Sequence, residues 1–306
     1  MGRIMTAMGL LGAVLAVVLR VWISPAQRDA DTGLFASNTP VVLLMLLVLG
    51  GLCAILFVCR GGDRQEIKGK SSLVLSVLLI VVGAAMVFTG GADVIRSFRA
   101  LKAAVSIDTS RLTVMLQWAE QIFCLLGGAA LVHLGLKLAS EGSTRRGMVQ
   151  WSLLAPVLWV WLMLANYEMS YNSMVRFSDG FFTLMTYIME MLFLLYFARY
   201  IAGVGKVGSG TLLLVANGAA LFAISTPAVQ LIMYLLRDSE EYAAAGQTGV
   251  LDMAIGLLAL TVSITLCHNL STPVAEKPEE EEKVEWPSEG EAEVELIEDT
   301  EESQEA

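Results

Sequence analysis

Apolar residues in this chain gather into eight runs, near residues 4–23, 40–59, 72–92, 113–138, 149–166, 181–201, 210–236 and 249–267, with short polar stretches between them. A helix rises 1.5 Å per residue, so about 20 apolar residues cross the ~30 Å hydrocarbon layer of a bilayer. The pattern predicts an all-α, polytopic membrane helix bundle with eight transmembrane helices. Trp22, Trp151, Tyr167, Tyr171, Tyr200 and Tyr242 fall near the run ends, where amphipathic rings favour the membrane–water boundary.

Composition agrees with that pattern. With 56% hydrophobic and 16% charged residues and a mean hydropathy of +0.65, the chain lies outside the range of water-soluble domains. Its net charge of −10 belongs to an appendage, because residues 271–306 hold fifteen Asp and Glu against Lys277 and Lys283. The remaining body has 18 basic and 15 acidic residues. Two regions follow: a transmembrane helical domain, 1–270, and an acidic tail, 271–306. Like charge from Glu279 to Glu282, together with Pro273, Pro278 and Pro287, leaves the tail too little apolar surface to offset its ordering entropy, so it is expected to be disordered. Val284, Trp286, Val294, Leu296 and Ile297 alternate with acids there, as in segments that dock a cytosolic protein; an inert solubilising tail is the simpler reading.

The first run resembles the apolar part of a secretory signal, with Arg3 in front. Arg20 and Trp22 follow it without an Ala-x-Ala-like cleavage site, so it reads as a retained span. Orientation comes from the cations of short loops. Arg60, Arg64, Lys68 and Lys70, then Lys137, Arg145 and Arg146, then Arg199 and Lys206 put alternate loops and both termini in the cytoplasm of a multi-pass cell-membrane protein. The third loop disagrees, carrying Arg96, Arg99, Lys102 and Arg111. Its Ile95, Phe98, Leu101 and Val105 recur at helical spacing, which fits a short helix in the headgroup layer or an extension of the third span.

Polar residues inside the runs carry what functional signal there is, because a charge near the bilayer centre costs at least about 2.5–3.5 kcal/mol. Glu190 lies near the middle of the sixth run, with Thr183, Thr186 and Tyr187 on its helix face. Arg199 falls nine residues on, about 180° away, so a partner for Glu190 must come from another span or its carboxyl must hold a proton. Gln117, Glu120, Gln121, Cys124 and Gly128 form a second stripe, read as a packing face turned into the bundle; His133 points elsewhere. Asp252 begins a seam with Gly256, Ala259, Ser263 and Cys267, where close packing with Asp252 as a helix cap is the simplest reading. Asn217, Gln230 and Ser225-Thr226-Pro227 mark the seventh run, and Pro227 predicts a kink.

Arg28 to Phe35 and Arg176 to Phe182 each read arginine, acid, glycine, then aromatic or leucine before a span, at equivalent places in two sets of four. Chance similarity of turn sequences explains this better than a duplication, and the acids serve as caps. Cys53, Cys59, Cys124 and Cys267 lie in or beside apolar runs, so neither a disulfide framework nor a metal site is expected. The chain contains no phosphate-binding loop, His-Glu-x-x-His, nucleophile elbow or basic nucleic-acid patch, and implies no cofactor, nucleic-acid partner or recognisable enzyme chemistry.

The partners expected are the lipid bilayer, a small polar or cationic solute, and a cytosolic protein at the tail. The candidate intramembrane site is Glu190, Glu120, Gln117, Gln121, Tyr187, Asp252, Asn217 and Gln230. Binding or translocation of the solute, proton-coupled through Glu190, stands against a non-transporting scaffold that recruits a partner through the tail, with a membrane-embedded enzyme third because paired carboxylates alone are a weak signal. Orientation is directly testable. A periplasm-active reporter fused after residue 306 is expected to be silent and a cytoplasm-active one to be active; the reverse pattern inverts the bundle.

Overall fold

A computed structural model of the chain describes residues 2–26, 39–58, 70–103, 111–141, 152–170, 177–202, 208–237 and 240–271. These residues form eight helices: α1 (Gly2–Ala26), α2 (Thr39–Val58), α3 (Lys70–Ala103), α4 (Arg111–Glu141), α5 (Leu154–Ser170), α6 (Phe177–Ala202), α7 (Ser209–Arg237) and α8 (Glu240–Ser271). The chain divides into Met1–Ser271 and Thr272–Ala306, and the described residues all belong to the first unit. The expected disorder of the tail, the two Arg-acid-Gly loop segments up to residue 176, and the side chain of Gln230 lie outside the described residues.

Five helices contain stretches long and apolar enough to cross a bilayer: Leu73–Arg99, Val114–Ser140, Phe182–Ala202, Ser209–Val229 and Gly249–Cys267. Thr6–Trp22 and Leu154–Met169 are apolar but shorter. In hydrocarbon a backbone amide has no water to bond, and a helix satisfies its amides within the segment; this is why apolar runs of such length become helices.

The third loop is where the sequence left two readings, and α3 takes the second. It continues without a break to Ala103, 34 residues in all, or about 50 Å at 1.5 Å per residue. Its far end is held by α4: Phe98 meets Trp118 edge-on with ring centroids 5.0 Å apart, and Ser97 Oγ accepts from Gln121 Nε2 at 2.7 Å. On the exposed side Arg96 pairs with Asp93 at 3.3 Å. Arg96, Arg99 and Lys102 therefore ride on the continuation of the third helix rather than on a separate short one, and Arg111 opens α4.

Small residues set how the helices meet. α3 and α4 run antiparallel, and a Cβ placed on Gly83 would lie 2.6 Å from the carbonyl oxygen of Gly128. Backbones that close leave no room for any side chain between them, which strengthens van der Waals packing where lipid offers no hydrophobic drive. α7 and α8 also run antiparallel, with Gly256 against Ala223 and Ile224 and Asn217 level with Ser263. α7 is the central helix, packed by α1, α2, α6 and α8, and 83% of its apolar span is buried within the protein. α3, α4, α5, α6 and α8 form a closed ring in which each packs on the next and α8 returns to α3, and α7 lies against the α6 and α8 members of that ring. α1 packs on α7 and α8, α2 packs on α1 and α7, and among the described residues α2 makes no packing contact with α3.

The glycine seam gives a direct test. Gly83→Ala is expected to lower stability by about 1–3 kcal/mol through overpacking, whereas Gly50→Ala, with nothing within 4 Å of its added Cβ, is expected to be neutral or slightly stabilising. Thermal unfolding in detergent reads both.

Candidate functional site

α6 is an apolar helix interrupted along one face, and that face points into the ring. Thr186 Oγ1 donates back to the Phe182 carbonyl at 2.9 Å, and it lies 3.3 Å from Thr226 Oγ1 of α7. One turn further along α6, Glu190 is completely buried. Neither of its carboxyl oxygens has a hydrogen-bond partner among the described residues. Buried polar atoms are bonded in the great majority of cases; single oxygens of Gln121, Asn166, Asn217 and Asp252 are unbonded too among the described residues, but Glu190 has both.

α8 brings a second carboxyl. Asp252 lies inside a helix that began at Glu240, three turns earlier, so it caps nothing. It is 8% exposed, and its Oδ1 has no hydrogen-bond partner among the described residues. The sequence pattern suggested a cap because the apolar run starts there; the helix starts earlier, on the polar segment in front of it. Below Asp252 the seam of Gly256, Ala259, Ser263 and Cys267 is buried against its neighbours.

The two carboxyls interact electrostatically, and the Tyr187 hydroxyl is within range of Asp252, Glu190 and Glu120 together. Tyr187 packs edge-on against Tyr167 of α5, ring centroids 5.9 Å apart. Next to that ring, Asn166 Nδ2 donates to Glu120 Oε2 of α4. Four helices of the ring, α4, α5, α6 and α8, thus contribute Glu120, Asn166 and Tyr167, Tyr187 and Glu190, and Asp252 to one cluster. Glu120 is half-buried and bonded, while Glu190 is enclosed and unbonded. The cluster is graded in polarity from its rim to its interior.

Three other candidates stand apart. Gln117 is exposed, on the outer side of α4, one turn before Glu120 but rotated away from the ring. Gln121 is buried against α3 through Ser97 rather than against the carboxyls. Asn217 belongs to a separate polar layer: its Nδ2 donates to the Leu213 carbonyl at 2.8 Å and to Ser263 Oγ at 2.9 Å. Ser263 Oγ lies 2.8 Å from Thr6 Oγ1, which is 3.0 Å from Cys267 Sγ, so this layer ties α1 to α7 and α8. His133 is exposed.

Sequence reading missed three contributors. Tyr167, taken as a boundary aromatic, turns inward onto Tyr187. Asn166, beside it, drew no attention at the end of an apolar run. Arg20 was read as a flanking charge, yet it is 7% exposed and its guanidinium sits 4.2 Å from the centroid of the Phe182 ring. The available signal was that α1 continues past it through Val21 and Trp22, which puts the arginine within a helix rather than after one.

Among the described residues no group of three or more His, Cys, Asp and Glu is arranged to hold a metal ion. Searches against protein-family models, curated proteins and solved structures found no match to the chain. What it does has to be argued from this cluster alone.

The separate layer makes its own prediction. A double-mutant cycle of Asn217→Ala and Ser263→Ala, read by unfolding in detergent, is expected to return a coupling of about 0.6–1.7 kcal/mol; a coupling near zero removes the hydrogen bond as a tie between α7 and α8.

Proposed function

We propose that the chain is a multi-pass cell-membrane protein of eight spans that binds a small cationic solute at Glu190 and Asp252 and carries it across in exchange for protons. The observation that carries this reading is Glu190, fully buried with both oxygens unbonded among the described residues, next to a second buried carboxyl. A carboxylate inside a bilayer costs several kcal/mol unless it is neutralised. A fixed hydrogen-bond donor lowers that cost without removing the charge, as Asn166 does for Glu120. Glu190 has no such donor among the described residues, and in this reading a proton neutralises it in one state and the cation in the other.

The other parts fit that exchange. In this reading Glu120, half-buried and bonded, is a stopping point at the rim of the ring, and Tyr187, one turn before Glu190 on the same helix face, belongs to the same path. Basic short loops favour a cytoplasmic position for both termini, and the acidic tail would then be a solvated cytoplasmic appendage.

In proteoliposomes with an imposed proton gradient, the purified protein is expected to drive uptake of a monovalent cation. Glu190→Gln is expected to reduce it roughly 10- to 150-fold, the equivalent of about 1.5–3 kcal/mol for a bond to a charged group. Gln117→Ala, on the outer side of α4, is expected to leave it unchanged. Uptake by Glu190→Gln at the full rate would end the assignment.

A further inference from the structure

α1 runs parallel to α7, because Gly9 lies against Asn217 and Gly12 against Leu221. Thr6–Trp22 therefore lies alongside the apolar span Ser209–Val229. Between α1, α7 and α8 is a cavity of about 190 Å³ whose wall includes Gly9, Ala13, Ala220, Ile224 and Leu260. Ala13 and Ala220 are buried, and a Cβ on Gly9 would lie 2.7 Å from Asn217 Oδ1, so the hollow exists because these residues are small. Leu10, Val14 and Val18 complete the wall and are half-exposed, which opens it away from the bundle. Among the described residues, none that lines it is polar.

Water does not fill such a space, because it needs polar partners and an apolar cavity stays dry. Left empty, the cavity would deprive its lining of the dispersion contacts that close packing supplies elsewhere. A helix of a second copy, about 10 Å across, would bridge the mouth rather than enter it. The exposed wall continues into Leu11 and Leu15, the apolar surface that α1 turns to the bilayer, so the hollow is continuous with hydrocarbon.

Its length fits one leaflet. Gly9, level with Asn217, stands two residues from the midpoint of Ser209–Val229, and Val18 is nine residues further along α1. At 1.5 Å per residue that is about 13 Å, close to half of the ~30 Å hydrocarbon layer. Trp22, exposed, follows one turn beyond Val18 on the same face, where an indole N–H meets the headgroups. An apolar cavity of about 150 Å³ holds benzene, so this one encloses a segment of a chain and the exposed wall carries the rest.

We propose that this groove binds one acyl chain of a phospholipid from the leaflet at the C-terminal end of α1, with the headgroup level with Trp22. The chain comes from hydrocarbon, so what holds it is shape rather than transfer out of water. It completes the packing of α1 on α7 and α8, and it requires the bilayer but not the exchange of cations.

Native mass spectrometry of the full-length protein in detergent is expected to find one phospholipid retained per chain. After its removal, a diacyl phospholipid returned at about 100 times its Kd is expected to raise the unfolding midpoint by about 5–10 °C. Val17→Phe places a ring in the groove. Its midpoint without lipid is expected to match or exceed that of the wild type, and its lipid response to fall at least about tenfold in apparent affinity. Leu15→Phe, exposed and outside the groove, is expected to respond as the wild type does. Should Val17→Phe fail to fold, Val14→Trp at the mouth carries the same comparison. A wild-type protein that retains detergent alone, or equal midpoints with and without phospholipid, overturns the inference. So does an undiminished response in Val17→Phe or Val14→Trp, which marks a general effect of lipid on the bundle. A response to oleate but not to phospholipid assigns the groove to a fatty acid, and a lipid-free dimer that Val17→Phe dissolves assigns it to a second copy; either result overturns the inference.

Discussion

Inside hydrocarbon, nothing outside the protein satisfies a polar group, and every other feature of this bundle answers to that rule. It makes each apolar run a helix, since only a helix closes its own backbone bonds. It also turns many of the polar side chains in the spans toward a partner on another helix. Ser97 with Gln121, Glu120 with Asn166, Thr186 with Thr226, and Asn217 with Ser263 and Thr6 are all contacts between helices. Two of these groups stand out: one contains the carboxyls and tyrosines, and the other, around Asn217, is uncharged.

The rule also separates packing from function. Gly83 and Gly128 bring α3 and α4 into backbone contact without burying any polar side chain, and they are fully explained by packing. Asp252 shares its seam with Gly256 in the same way, yet packing does not explain why an aspartate should occupy that position. Glu190 fits the rule least, since no described residue supplies its neutrality. Natural sequences depart from local consistency mainly at working sites, so the exception is where function is to be sought.

How much of this was legible in the sequence differs by scale. The helices were, because a run of about 20 apolar residues admits one backbone solution in a bilayer. Glu190 and its face with Thr186 and Tyr187 were also visible, since helical periodicity is set by local geometry. What periodicity does not give is rotation against neighbours. Gln117 and Gln121 are four apart on one stripe, yet the first is exposed and the second buried, because the contact with α3 falls between them. Nor does it reveal which spans are adjacent. That Asp252 of α8 stands by Glu190 of α6, and that Arg20 of α1 reaches the Phe182 ring, follows from α7 sitting between them, a fact of assembly rather than of local sequence.

The central position of α7 has a consequence in time. Helices leave the ribosome in chain order, so α1 to α6 are made before the helix that joins α1 and α2 to the rest. With no packing between α2 and α3 among the described residues, the first two helices and the next four have little to join them until α7 arrives. α7 therefore completes two interfaces at once, and α8 closes the ring behind it by returning to α3. The carboxyl of Glu190 accordingly waits, facing lipid or an unfinished groove, until the last hairpin inserts. The chain assembles its costliest buried group and the helix that encloses it in sequence rather than together.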